Sequence, residues 1–286
     1  MSTIRLIRRR IKSIGNTARI TKAMEMVASS KMRRAQQSVL ASRPFAVKMN
    51  ELLGHLAAQL PQGEPLHPLL EHRSPQRIGI VHITADRGLC GSLNANMNRR
   101  TASFILTQDI PVTIVAVGRK GRDFMSRYGR DIRAEFTGLG DQPGILDIAP
   151  ISHIVIDDYL NGRFDQVYLA YTDFVSTMTQ RPVLRRLLPV EPIHPGGAYL
   201  VEFLYEPSPA AVLAALLPRF VEMQLYQAVL EHVSSEQSAR MVAMRSATEN
   251  AKELIEDLTL TYNKVRQEAI TKELLDIVGG VAGLKV

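Results

Sequence analysis

The sequence predicts an α/β fold: two long terminal helices forming an antiparallel coiled coil, plus a small α/β domain with a mainly parallel sheet. Three observations in the 286 residues lead there. A heptad repeat of apolar residues runs over residues 4–60, a second runs over 213–265, and short apolar runs alternate with helical patterns between them.

The first helix is set by its seam. With position a at Ile4 and d at Ile7, the a series is Ile4, Ile11, Ala18, Glu25, Met32, Val39, Ala46, Leu53, Leu60. The d series is Ile7, Ile14, Thr21, Ala28, Ala35, Ser42, Met49, Leu56, and only Thr21, Glu25 and Ser42 in the two series are not apolar. An ordinary surface helix would drift toward a 3.6-residue period, so one register kept this long marks a coiled coil. Pro44 is expected to bend the helix without ending it. Residues 3–60 would reach about 85 Å at the helical rise per residue. The absence of acids before Glu25, with abundant Arg, also resembles an organelle transit peptide. The heptad pattern runs on unbroken past that region, which favours structure.

Between the helices the period changes. Residues 77–84 form a short apolar run ending in the turn Asp86-Arg87-Gly88, and 94–107 read as a helix. A strand over 112–117 closes at Gly118, with 119–128 helical after it. Residues 151–160 read as a third helix, and 166–174, 183–188 and 199–205 as strands. This order is that of a Rossmann-like α/β domain with parallel strands.

The last helix opens on Ser208-Pro209, a capping hydroxyl followed by proline at the first helical position, and no glycine follows until Gly279. Its seam, from a at Leu213 and d at Leu216, runs through Phe220, Met223, Gln227, Leu230, Ser234, Gln237, Met241, Met244, Thr248, Ala251, Ile255, Leu258 and Tyr262 to Val265, with Pro218 the expected kink. Two seams of similar length can bury each other within one chain, with no second copy needed. The domains expected are 1–60 for the N-terminal helix, 76–205 for the α/β domain and 208–286 for the C-terminal helix.

Composition excludes several classes. No apolar run approaches the ~18 residues of a membrane span. The single cysteine, Cys90, excludes an internal disulfide and any cluster of cysteine ligands, and fits a reducing compartment. The seven histidines show no metal-ligand spacing. Around the turn, Gly88 and Gly91 stand three apart, so neither a dinucleotide fingerprint nor a phosphate loop is present; the pair is read as a tight turn with close helix packing. Cys90 with His82 as its base lacks an orienting third group and is read as a packed thiol. Asp157-Asp158 is read as a solvated face. No constellation argues for an enzyme, a metal site or a cofactor.

The net charge of +7 is unevenly placed. Residues 1–50 hold twelve basic side chains and one acid, so they carry +11 and the other 236 residues carry −4. Arg5, Arg8, Lys12, Arg19, Lys22 and Arg33 all fall at heptad b or e, one flank of the helix. Such a stripe suits a solvated face, a nucleic-acid backbone or an acidic protein surface. With no Trp and 6% aromatics, base stacking is poorly served.

Specific motifs then narrow these options. Ile20-Thr21-Lys22-Ala23-Met24-Glu25-Met26-Val27-Ala28 resembles the N-terminal signature of the γ-subunit family of F-type ATP synthases, of bacterial type. Ser235-Glu236-Gln237-Ser238-Ala239-Arg240-Met241 and Tyr262-Asn263-Lys264-Val265-Arg266-Gln267-Glu268-Ala269 resemble its C-terminal signature, and Asp86-Arg87-Gly88-Leu89-Cys90-Gly91 a third motif. The resemblance implies a noncatalytic rotor shaft, without cofactor or metal, coupling proton flow to ATP synthesis. It implies three α and three β subunits, the ε subunit and the c-subunit ring as partners, and no nucleic acid. Membrane association would be peripheral, through the complex, at the cytoplasmic face of a bacterial plasma membrane. Lys22 and Met24 would meet acidic β-subunit loops, as would Arg266, Gln267 and Thr271 higher up, and the nearly uncharged tip, 277–286, would turn against an apolar collar.

Overall fold

A computed structural model describes residues 2–59, 67–191 and 205–283 of the chain. The expected strand over 199–205 falls almost wholly outside these residues, and the side chains of the tip are described only up to Val278. Among these residues five α-helices and five strands follow in the order α1 (Ser2–Gln59), β1 (Ile78–Ile83), α2 (Leu93–Leu106), β2 (Val112–Val117), α3 (Arg119–Arg127), β3 (Asp131–Phe136), α4 (Ile145–Leu160), β4 (Gln166–Phe174), β5 (Gln180–Leu188) and α5 (Pro209–Gly283). A short 3₁₀ turn, Pro68–Leu70, precedes β1. The chain divides into two compact units, one made of residues 1–28 with 241–286 and the other of residues 29–240.

In the larger unit the sheet order is β3-β2-β1-β4-β5, parallel except for the antiparallel pair β4–β5. Every residue of central β1 is buried, as expected of a strand covered on both faces. Its side chains alternate: Val81 and Ile83 join one core with α4 and α5, while Ile78 and Ile80 join a second with α2 and α3. Edge strand β3 is absent from the sequence expectation. Its Asp131-Ile132-Arg133-Ala134-Glu135-Phe136 alternation is half exposed, so it lacks the continuous apolar run that marked its neighbours. Helix α4 begins six residues before the expected start at 151 and runs through Pro150 in its second turn; the Leu146 carbonyl that loses its helical partner there belongs to an exposed residue.

Helix α1 runs through Pro44, which is exposed, so the carbonyl that loses its helical partner lies at the wet side. Of the described positions in both expected seams, none is exposed. In the larger unit α5 is buried well beyond its seam: Leu217, Val221, Leu225, Ala228 and Val229 all lie in the core shared with the sheet. An exposed coiled-coil helix needs one apolar stripe, but here the same helix also serves as the cover of a sheet. At the start of α5, Ser208 Oγ accepts the N–H of Ala211 at 3.2 Å, the expected cap.

In the smaller unit α1 and α5 pair antiparallel. A Cβ on Gly15 would lie 3.9 Å from Ile255, Thr21 bonds Thr248, and Glu25 meets Arg245, so each step along one helix matches a step back along the other. That register sets the N-terminus of α1 opposite residue 268, and among the described residues nothing of α1 lies alongside 269–283.

Candidate functional site: a polar layer in the helix pair and a filled crevice

Two of the non-apolar seam positions of α1, Thr21 and Glu25, form a cross-helix polar layer with α5. Thr21 Oγ1 and Thr248 Oγ1 lie 2.7 Å apart, both buried. Thr248 also donates to the Met244 carbonyl at 2.8 Å, shorter than the 3.1 Å from Thr21 to the Ala18 carbonyl. One hydroxyl proton cannot serve two acceptors well, so Thr21 donates to Thr248 and Thr248 to its own helix. One turn along, Glu25 is 6% exposed and accepts from Lys22 Nζ at 2.9 Å and Arg245 Nε at 3.2 Å. A carboxylate at a seam position costs stability unless paired, but in return it fixes register.

The Lys22 hydrogen bond, helped by Arg245 and opposed by burial, holds the Glu25 carboxyl below its ordinary value. A depressed carboxyl stabilises the fold above its unfolded pKa and loses that contribution as pH falls through the folded value. Lys22 and Arg245 are more than half exposed, so solvent screens the pair. Glu25→Gln is therefore expected to cost only about 1 kcal/mol near neutral pH. The difference in thermal midpoint between the two chains should shrink on the acid side of Glu25's titration; a constant difference would show that charge plays no part.

The expected site residues sort into two levels. Lys22 and Met24 lie beside the Thr21–Thr248 layer, Met24 half-buried. Arg266, Gln267 and Thr271 are exposed near and beyond the start of α1, roughly 27 Å farther along α5. The structure does not bring these two groups together. In the same unit Arg5, Arg8, Lys12 and Arg19 are exposed, with no ion pair among the described residues, while Lys22 is engaged by Glu25. Arg33, in the other unit, is likewise exposed and unpaired among the described residues. The Glu25–Arg245 pair itself escaped the sequence reading; its trace was a lone acid at an a position.

The larger unit has the place where open α/β sheets bind ligands, the carboxyl ends of strands where the connections reverse direction, here beside β1. That crevice is filled by the chain itself. Ala239 of α5 packs with Ala85, Cys90 and Leu93, and Arg240 donates to the Gly88 carbonyl at 3.3 Å while pairing with Glu236 at 2.7 Å. Asp86, the first residue of the turn, accepts the N–H groups of Arg119 at 3.0 Å and Gly138 at 2.8 Å. A tight turn is present, but close packing at its glycines is not: a Cβ on Gly88 or Gly91 would meet nothing within 4 Å. Gly91 is there for its φ of +59°. The close approaches occur instead at Gly118 and Gly121, which crowd Thr84 and His82, and at Gly79, which lies against the Phe164 ring.

Neither candidate nucleophile nor carboxylate pair survives this geometry. Burial pushes the Cys90 thiol up, which keeps it protonated, and its sulfur accepts from Asn94 Nδ2 at 3.2 Å. His82 faces elsewhere: Nε2 donates to Asn98 Oδ1 at 2.8 Å, which leaves Nδ1 to accept from Thr101 at 3.1 Å, and burial lowers the ring to about 4. Asp158 is not on a solvated face. It is 4% exposed and takes Arg133 Nε at 2.8 Å, whereas Asp157 is exposed. Among the described residues no cluster of three His, Cys, Asp or Glu could hold a metal ion, and no helix is long and apolar enough to cross a membrane.

Comparison with known proteins agrees with this architecture. The model of the ATP synthase family matches residues 3–284. The chain is 58% identical over 284 residues to the ATP synthase gamma chain of Dehalococcoides mccartyi, covering 99% of this chain and 100% of that one. It is 51% identical over 286 residues to the gamma chain of Desulforamulus reducens, covering all of both. Among solved structures, a chain of the Euglena gracilis mitochondrial ATP synthase, from an assembly of OSCP, F1 and c-ring, matches 99% of this chain and 95% of its own length with a TM-score of 0.71 at 21% identity.

Proposed function

The chain belongs to the ATP synthase γ-chain family, and on that premise we propose how its residues act as the noncatalytic central-stalk rotor of an F-type ATP synthase. The observation that carries the reading is the pair of long helices locked in register by the Thr21–Thr248 and Glu25–Arg245 contacts. Torque transfer needs an element whose two helices cannot slide past each other. Apolar a/d contacts alone tolerate slippage by a heptad, whereas an unpaired seam carboxylate is costly, so the polar layer holds one register.

Residues 1–60 and 208–286 serve as the two shaft helices and residues 76–205 as the attached α/β domain. The partners are three α and three β subunits around the shaft, with the ε subunit and the c-subunit ring at its other end, and proton flow through that ring drives rotation. The chain then works at the cytoplasmic face of a bacterial plasma membrane, held there through the complex. Exposed Arg5, Arg8, Lys12, Arg19 and Arg33 supply long-range attraction to acidic β-subunit loops, which lowers the energy of approach without imposing one rotational position. Lys22 and Met24 contact the β subunits at one level, and Arg266, Gln267 and Thr271 at another.

Met24→Lys tests this assignment. It adds a cation beside Lys22 and next to Glu25, and that cation competes for acidic groups on the β loops. In the reassembled complex ATP-driven proton pumping should fall severalfold more than ATP hydrolysis. Equal proportional loss of both would remove Met24 from the coupling surface.

A further inference from the structure

A second basic feature lies in the sheet unit, outside the positive stripe. Helices α2 and α3 border an open groove of about 780 Å³. Four cations line it: Arg99 from α2, Lys120 and Arg127 from α3, and Arg130 just beyond. None of these has an ion pair among the described residues. The groove's one carboxylate, Asp123, is already held by Arg122 at 2.8 Å. The whole-chain reading hides this, because residues 51–286 sum to −4 while this patch is strongly positive.

The floor is apolar. Leu106 at the end of α2 is 75% exposed and Tyr128 at the end of α3 is 65% exposed. Phe124 packs its ring on Tyr128 at 4.7 Å between centroids, which fixes an aromatic wall. Large apolar side chains ringed by uncompensated cations mark a surface built for contact rather than for solvent alone.

We infer that the α2–α3 groove is a docking site for an acidic amphipathic helix of a partner protein. Charge complementarity requires carboxylates against Arg99, Lys120, Arg127 and Arg130, and the floor requires apolar anchors at helical spacing on the same segment. A helix is the shape that fits. Its convex ridge enters a concave channel between two helices, whereas a flat bilayer surface would touch the rims and leave Phe124 uncovered. A nucleic-acid backbone would satisfy the cations and leave the apolar floor wet.

The probe is a fluorescent synthetic helix of roughly five turns, with Leu along one face and Glu over the rest, titrated against the full-length chain by anisotropy. Saturable binding is expected, weakened about tenfold or more by R127E/R130E and by Leu106→Asp, and unchanged by R34E/R43E on α1, outside the positive stripe. All five positions are exposed, so circular dichroism should show intact folds; Arg99→Ala, a milder change, should give a smaller loss in the same direction. The inference fails if R127E/R130E leaves binding intact, or if a scrambled peptide of the same composition binds equally well. It also fails if the helix does not bind, and binding of phosphatidylglycerol vesicles or duplex DNA in its place assigns the groove to that surface.

Discussion

Gly118→Ala should destabilise the sheet unit by about 3–4 kcal/mol, the largest effect expected of adding a methyl to any described glycine. Gly118 has φ +93° and ψ 142°, a region that residues with a Cβ scarcely enter. A Cβ there would also lie 2.0 Å from the Thr84 carbonyl oxygen, which is backbone and cannot swing away. The surroundings cannot relax cheaply. The Gly118 N–H bonds the Phe136 carbonyl at 2.7 Å, Thr84 N–H bonds the Val117 carbonyl at 2.8 Å, and Thr84 Oγ1 accepts the Gly121 N–H at 2.8 Å. These bonds tie β1, β2, β3 and α3 at one point. Gly129→Ala is the control: φ is +64° but nothing lies within 4 Å, so only about 1 kcal/mol of backbone strain is expected. Urea midpoints of the two variants separate the causes. If Gly118→Ala is no worse than Gly129→Ala, the close approach to Thr84 is not a constraint.

The largest functional effect is expected from Asn250→Pro. Asn250 is exposed in the middle of the helix-paired part of α5, between buried Thr248 and Ala251. Proline there removes one helical N–H and drives its ring against the carbonyl of Ser246, a cost of about 3 kcal/mol or more, relieved by a kink. Pro44 and Pro218 show that these helices accept proline, but not beside the cross-helix polar layer. A kink at this point pulls Thr248 from Thr21 and frees the two helices to shift. ATP-driven proton pumping in the assembled complex should drop by about an order of magnitude, while Asn250→Ala, which keeps the backbone and improves helix propensity, should leave it unchanged. Full pumping by the Pro variant would mean that helix continuity at this level is not needed for coupling.

The helical pattern was legible because coiled-coil burial is periodic and local. The seam that begins at Ile4 and the cap at Ser208 each rest on residues a few positions apart. The same holds for β2 and β4, whose apolar runs and flanking turns announce them. What escaped was whatever depended on a neighbour distant in sequence. β3 is an edge strand paired on one side only, and its register with β2 carries an irregularity between Ile114 and Val115. Asp158 looked solvated beside Asp157 because the partner that neutralises it, Arg133, comes from β3, an element the pattern had not registered. The turn glycines Gly88 and Gly91 stand out by spacing, yet the crowded ones are Gly79, Gly118 and Gly121, and crowding is a property of what lies opposite.

The two long helices, a mainly parallel sheet and the placement of positive charge on the first fifty residues are all readable from the chain alone. Period, capping chemistry and charge phase are all short-range properties of one chain segment. The folded arrangement adds what no single segment carries: Arg245 reaches Glu25 from the other helix, α5 closes the crevice at the end of β1 with Ala239 and Arg240, and four cations of α2, α3 and their flank converge on one groove. Each of these joins residues that the chain separates by many positions. Distance along the sequence carries no energy; distance in space does, and Coulomb attraction and packing act only on the latter.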